Sequence, residues 1–151
     1  MDNCISAKSE ISGHTSEACI FCKIIKGEVP SSKVYEDEEI LAFLDIGPVN
    51  KGHTLVIPKQ HHETLMDIPD DTLKQITIIV KKVCKAVKQG VNADGISLGM
   101  SNYKAAGQVV PHAHFHIMPR FENDGLKLWP QGKYEENEMN FYKEKIESFL
   151  D

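Results

Sequence analysis

Three histidines stand at alternate positions, His112, His114 and His116, in the stretch VVPHAHFHIMPR (residues 109–120), with Ala113, Phe115 and Ile117 between them. A period of two is that of a β-strand, so the apolar three face a core and the imidazoles share the opposite face. Same-face neighbours on a strand lie about 6.6 Å apart at Cα, twice the rise per residue, so their side chains can converge on one small group. Two chemistries use such a cluster. In one, neutral imidazoles bind a metal. In the other, one imidazole attacks phosphorus while its neighbours donate to phosphate oxygens. The neutral ring is nucleophilic at pH 7, and the phosphoramidate it forms is labile. The plain alternative is a half-exposed strand whose outward residues are histidines. Three in register, in a chain with only 7 histidines, weigh against it.

The residues just upstream favour phosphate. In SNYKAAGQVV, Gly107 allows a tight turn and close backbone approach to a ligand. Asn102 and Gln108 are neutral amides that can donate to phosphate oxygens. A dedicated metal centre would more naturally sit among carboxylates, and none lies between Asp94 and Glu122. A second cluster is CIFC, Cys19 to Cys22, whose Cys-x2-Cys spacing suits a tetrahedral metal or a redox dithiol. The strand that precedes a thioredoxin-like motif is missing. A metal needs two more ligands, and the doublet His61-His62 after PKQ offers one. Two reduced thiols packed in a short helix are the alternative.

The elements that must position these groups follow from periodicity. CIFCKIIKGEVP reads as a short helix closed by Gly27 and stopped by Pro30. KVYEDEEILAFLDI reads as a hairpin with EDEE at its tip, and GHTLVIPK as a strand entered through a loop with Gly47, Pro48 and Gly52. A long helix starts near Asp70, which can cap it, and ends at Gly90. Its apolar stripe is Leu73, Ile76, Val80, Val83 and Val87, with Cys84 as a small core residue beside it. GISLGMSNY reads as a central strand, AAGQ as a turn and residues 112–118 as the histidine strand. Met139, Tyr142, Ile146 and Phe149 recur at helical spacing over residues 137–150. The class is α+β: an antiparallel sheet of about five strands, one long helix and a C-terminal helix.

The 151 residues predict one compact domain, and 41% hydrophobic with 26% charged residues is an ordinary globular balance. With a net charge of −5 and no basic run, nucleic acid is not an expected partner. An anionic ligand must instead be attracted locally, by backbone N–H groups and imidazoles. No apolar run approaches a membrane span. Residues 1–18 lack the apolar core of a signal peptide and read as a flexible polar extension, leaving 19–151 as the domain. Cys4, Cys19, Cys22 and Cys84 do not make a disulfide framework, so a reducing, cytoplasmic setting is expected.

Taken together, CIFCKIIKGEVPSSKVYEDEEILAFLDIGPVNKGHTLVIPK and AGQVVPHAHFHIMPR resemble the two halves of the Hint-like branch of the histidine triad (HIT) superfamily, over about residues 19–120. The resemblance implies that His114 attacks the α-phosphorus of a nucleotide, with His116 and His53 orienting it. It implies phosphate contacts from Gln108 and Asn102, ribose contacts from Asp45, and a base pocket of Ile20, Phe21, Ile24, Phe43, Ile46 and Leu55. Those apolar residues would look the same in any core. It further implies a structural Zn²⁺ on Cys19, Cys22, His61 and His112, and a two-fold homodimer joined through the long helix and a sheet edge. The implied substrates are nucleoside phosphoramidates, adenylylated conjugates or dinucleoside polyphosphates of a purine nucleotide, cleaved through a nucleotidyl-histidine. A nucleotide-binding sensor with little turnover and a metallohydrolase are the competing classes. One departure is Val109, where some phosphoramidate-cleaving members carry a hydroxyl residue that could protonate an amine leaving group.

Overall fold

The computed structural model describes residues 16–127 and 129–150. Of the expected N-terminal extension, residues 1–15 lie outside the described residues. Five strands form one antiparallel sheet: β1 (Lys33–Glu36), β2 (Ile40–Leu44), β3 (Thr54–Pro58), β4 (Gly95–Gly99) and β5 (Phe115–Arg120), in the order β1-β2-β3-β5-β4. Among the described residues three α-helices accompany it: α1 (Ile20–Ile25), α2 (Asp70–Gly90) and α3 (Glu138–Glu147).

Strands β2 and β3 are apolar apart from Thr54 because both of their faces are covered. Ile40, Ala42 and Val56 turn to one side, where α2 brings Ile76, Val80 and Val83 against them, together with Ala113 and Ile117. Leu41, Phe43, Leu55 and Ile57 turn to the other side, where α1 supplies Phe21, Cys22 and Ile24. The helix stripe expected from spacing is therefore the α2 contact, and Cys84 packs at its margin. Register ties the histidine strand to the middle of the sheet, with Leu55 opposite His116 and Leu98 opposite Ile117.

Four details differ from the sequence reading. GISLG is an edge strand and not a central one, because β5 pairs between it and β3. Asp70 does not cap α2. Pro69 occupies the cap position, and Asp70 and Asp71 lie in the first turn, where their charge complements the helix dipole. Gly90 is still helical, and the left-handed residue that follows the helix is Asn92, at φ +53°. The regular β5 begins at Phe115, so His112 and His114 lie on its approach. The C-terminal helix forms as expected, but none of its residues is buried, and Met139, Phe141 and Ile146 are exposed.

Candidate functional site

Although His112 and His114 precede the regular ladder, side-chain alternation holds through the whole stretch. Ala113, Phe115 and Ile117 pack on the α2 side. The three imidazoles take the α1 side, where the Phe21 ring meets His114 edge-on at 5.2 Å and His112 at 5.9 Å. His114 and His116 have ring centroids 4.8 Å apart. His53, just before β3, extends the row, its Nε2 lying 2.9 Å from His116 Nδ1.

Hydrogen bonds assign the proton on each ring. The Val49 N–H donates to His53 Nδ1 (3.3 Å), so His53 carries its proton on Nε2 and donates it to His116 Nδ1. His116 then carries its own proton on Nε2. The His112 carbonyl can only accept, so His114 Nδ1–H donates to it, at 2.6 Å. That leaves a lone pair on His114 Nε2. Asp45 Oδ2 stands 3.6 Å from His53 Nδ1, an electrostatic neighbour and not a hydrogen-bond partner, while its Oδ1 accepts from the Gly47 N–H.

Burial keeps these rings neutral. It lowers the His114 pKa, opposed by the bond to the His112 carbonyl and by Asp45. It lowers that of His53, with Asp45 opposing. His116 is pushed down to about 4, first by burial and then by His114 and His53.

Four donors cluster separately. His112 Nδ1 lies 3.5 Å from Cys19 Sγ and 3.6 Å from Cys22 Sγ, and His61 Nδ1 lies 3.3 Å from Cys22 Sγ. A tetrahedral zinc with its usual bond lengths requires S···N edges of about 3.6 Å, so the four side chains fit one ion. His112 Nε2–H donates to the Pro58 carbonyl at 2.8 Å, which leaves Nδ1 free to ligate. Burial lowers the His112 pKa to about 4, keeping it neutral as a ligand must be. Burial and the neighbouring Cys19 raise the Cys22 thiol to about 11, and a bound cation reverses that effect. Of the doublet, His61 joins the cluster; the backbone carbonyl of His62 instead accepts from the Ala113 N–H.

Against the imidazoles lies a cleft of about 870 Å³. All six apolar residues named from the sequence line it, and Asp45, His114 and His116 form its polar end. Phe21 and Phe43 meet edge-on at 5.4 Å within it. Val29, Pro30, Ser31 and Ser32 complete a wall that the sequence reading did not single out. They belong to the irregular link between α1 and β1, where no periodic pattern marks a face; their only signal is proximity to α1.

Asn102 and Gln108 are not brought to this cleft. Gln108 Nε2 donates to the carbonyls of Glu63 (2.6 Å) and Val110 (3.1 Å), and its Oε1 accepts from the Tyr103 N–H. Asn102 Oδ1 accepts from the Leu65 N–H at 2.7 Å. Both amides brace loops. Gly107, at φ +91°, does reach the cleft wall.

Comparison with known proteins extends the picture. A family model described as the HIT domain matches residues 26–123. An uncharacterized HIT-like protein of Methanocaldococcus jannaschii is 54% identical over 107 residues, covering 71% of this chain and 82% of that one. An adenosine 5′-monophosphoramidase of Candida albicans is 41% identical over 139 residues, covering 88% and 91%. The crystal structure of a Zn-bound histidine triad family protein from Mycobacterium smegmatis superposes with a TM-score of 0.71 at 36% identity, covering 89% and 99%.

Proposed function

The chain belongs to the HIT domain family, and from that premise we propose that it is a nucleotidyl hydrolase or transferase acting at the α-phosphate of a purine nucleotide conjugate. The observation that carries this reading is the tautomer of His114. Its Nδ1–H is held by the His112 carbonyl, and its ring lines the cleft beside His116 with a nucleophilic Nε2. The base enters the apolar end, against the contacting rings of Phe21 and Phe43. Asp45 accepts from the ribose hydroxyls. His116 donates its Nε2–H to a phosphate oxygen, and the His53–His116 bond holds that tautomer. Gln108 and Asn102 reach phosphate only by releasing the loop contacts that they make here.

In the first step, His114 Nε2 bonds to phosphorus as the bond to the leaving group breaks. For a phosphoramidate, the electron pair stays on the departing nitrogen, which takes a proton from water. In the second step, water attacks phosphorus, the phosphorus–His114 bond breaks, and nucleoside monophosphate and neutral His114 are released. Cys19, Cys22, His61 and His112 would hold a structural Zn²⁺, which would cross-link the fold and supply no chemistry at phosphorus.

Two further readings accompany the enzyme. Edge strand β4 with its exposed Leu98, and Ile78 exposed on α2, supply a face for a two-fold homodimer, with α3 near the partner's cleft. Free Cys19, Cys22 and Cys84 suit a reducing, cytoplasmic setting. Among the described residues, no helix is long and apolar enough to cross a membrane. The test is a panel of adenosine and guanosine phosphoramidates and dinucleoside polyphosphates, compared by kcat/KM. Phosphoramidates are expected to be turned over fastest; nucleotide binding with no turnover of any member would favour a sensor instead.

A further inference from the structure

His53 and His116 come from different elements, and the bond between them is only as definite as the turn that delivers His53. That turn is Asn50-Lys51-Gly52-His53. The His53 N–H donates to the Asn50 carbonyl at 3.0 Å, and Gly52 takes φ +99° at the third position, where a type II turn calls for a left-handed residue. Core packing does not hold the approach to it: from Ile46 to Lys51 every residue except Asn50 is exposed. We propose that Asn50, anchored by the Arg120–Asp124 pair, is a positioning residue for catalysis, fixing which nitrogen of His53, and through it of His116, carries the proton. This inference rests on the nucleotidyl chemistry proposed above.

The anchor is built around Asp124. Its carboxylate, with the side chain 7% exposed, accepts from Arg120 Nε at 2.7 Å and Nη2 at 2.9 Å, and from the N–H groups of Phe121 and Leu126. A bidentate pair braced by two backbone donors is fixed in place. Asn50 Nδ2 donates to Oδ2 of this carboxylate at 3.1 Å and to the Pro119 carbonyl at 2.9 Å. Pro119 lies beyond His116 on β5. One side-chain amide therefore ties the turn that carries His53 to the strand that carries His116.

His53 Nδ1 has two neighbours that call for opposite protonation. The Val49 N–H, 3.3 Å away, requires a lone pair there. Asp45 Oδ2, 3.6 Å away, would accept from a proton there, and a carboxylate is the stronger partner. Val49 directly precedes Asn50 and its side chain is exposed, so its N–H stays at the ring only while Asn50 is held. With Asn50 released, Asp45 closes on Nδ1 and the His53 proton moves to that nitrogen. His53 Nε2 then turns a lone pair to His116 Nδ1, and His116 carries its proton on Nδ1. His116 Nε2 is left without the hydrogen that a phosphate oxygen accepts. Each ring keeps one proton throughout; only its place changes.

The test is the tautomer of each ring, read from long-range proton–nitrogen correlations in protein labelled with ¹⁵N-histidine. Asn50→Ala removes the tie. Asn50→Asp keeps the shape but sets a carboxylate against Asp124 and the Pro119 carbonyl. In both variants His53 and His116 should pass from the Nε2–H to the Nδ1–H form, while His114 stays Nδ1–H. For adenosine 5′-phosphoramidate kcat should fall about tenfold, the scale of one lost hydrogen bond. AMP affinity should fall by less, because the base pocket is untouched. Lys51→Ala, in the same exposed turn, should match wild type in both readouts. His53 and His116 still in the Nε2–H form in either variant, or a change that takes in His114 as well, would overturn the positioning role. Inverted tautomers with kcat unchanged would overturn it too. Wild-type protein that cleaves no phosphoramidate would overturn the functional reading instead, and the tautomers of the variants would still decide what Asn50 holds.

Discussion

Replacing Cys22 with alanine should cost more in stability than in chemistry, and the structure gives the scale. The four-donor cluster joins α1 to the His61 loop and to the approach to β5, and Cys22 and His112 are 90 residues apart in the chain. A cross-link that closes a loop of that length restricts the unfolded chain by roughly 4–5 kcal/mol. For a chain of this size, each kcal/mol moves the melting temperature by about 2–4 °C, so loss of the metal should lower Tm by roughly 10–15 °C. Cys22 is buried, and the small void left by its sulfur adds to the loss. The assay is thermal unfolding of wild type and Cys22→Ala, each with and without a chelator, together with metal analysis of the purified proteins. Wild type should contain about one zinc per chain and fall on chelation to slightly above the Tm of the variant, which should not respond to chelator. The folded fraction of the variant should keep most of its kcat, because none of the four donors lines the cleft. Zinc-free wild-type protein, or a variant within about 2 °C of wild type, would refute the cross-link.

The pH dependence follows from the same burial. On the proposed mechanism the attacking His114 must be neutral, and its pKa lies below the ordinary imidazole value, so kcat/KM should hold down to about pH 6.5 and decline only below it. Stability has a matching slope. His112 and His116 have folded pKa values of about 4, so between about pH 6.5 and 4 the unfolded chain binds more protons than the folded one. The chelator-treated protein should therefore lose stability as pH falls through that window, as measured by denaturant unfolding at a series of pH values; a flat profile would contradict it. At Gly52, φ is +99° and an added Cβ would lie 2.8 Å from Val91 Cγ1. Gly52→Ala should cost roughly 1–3 kcal/mol, and Val91→Ala in the same chain should restore part of it. An additive double variant would show that the contact is not the cause.

Much of the site was legible because its signals are periodic or spaced. The alternation of His112, His114 and His116 survives in the structure even though the first two precede the strand, since Ala113 and Ile117 still need the α2 core. The Cys-x2-Cys pair falls at the start of a one-and-a-half-turn helix, which brings both sulfurs to His112. What spacing does not carry is the partner of a long polar side chain. Gln108 and Asn102 read as phosphate donors from their neighbourhood, yet backbone groups of the 63–65 loop, distant in sequence, engage them. Nor does local pattern tell an edge strand from a central one: GISLG would look the same in either place, and only the pairing of β5 with both β3 and β4 puts it at the margin. The Val29–Ser32 wall was missed for a similar reason, being shaped by the turn at Gly27 (φ +78°) and not by any repeat.

The central claim is that His114 becomes covalently nucleotidylated. Rapid alkaline quench, which spares the acid-labile phosphorus–imidazole bond, with a substrate labelled at the α-phosphorus and followed by peptide mapping at alkaline pH, tests it directly. Label should be found on His114 of wild type within a single turnover, and His114→Ala should carry none, lose at least about 10³-fold in kcat, and still bind AMP. Label on His116, or His114→Ala turning over within tenfold of wild type, would contradict the account.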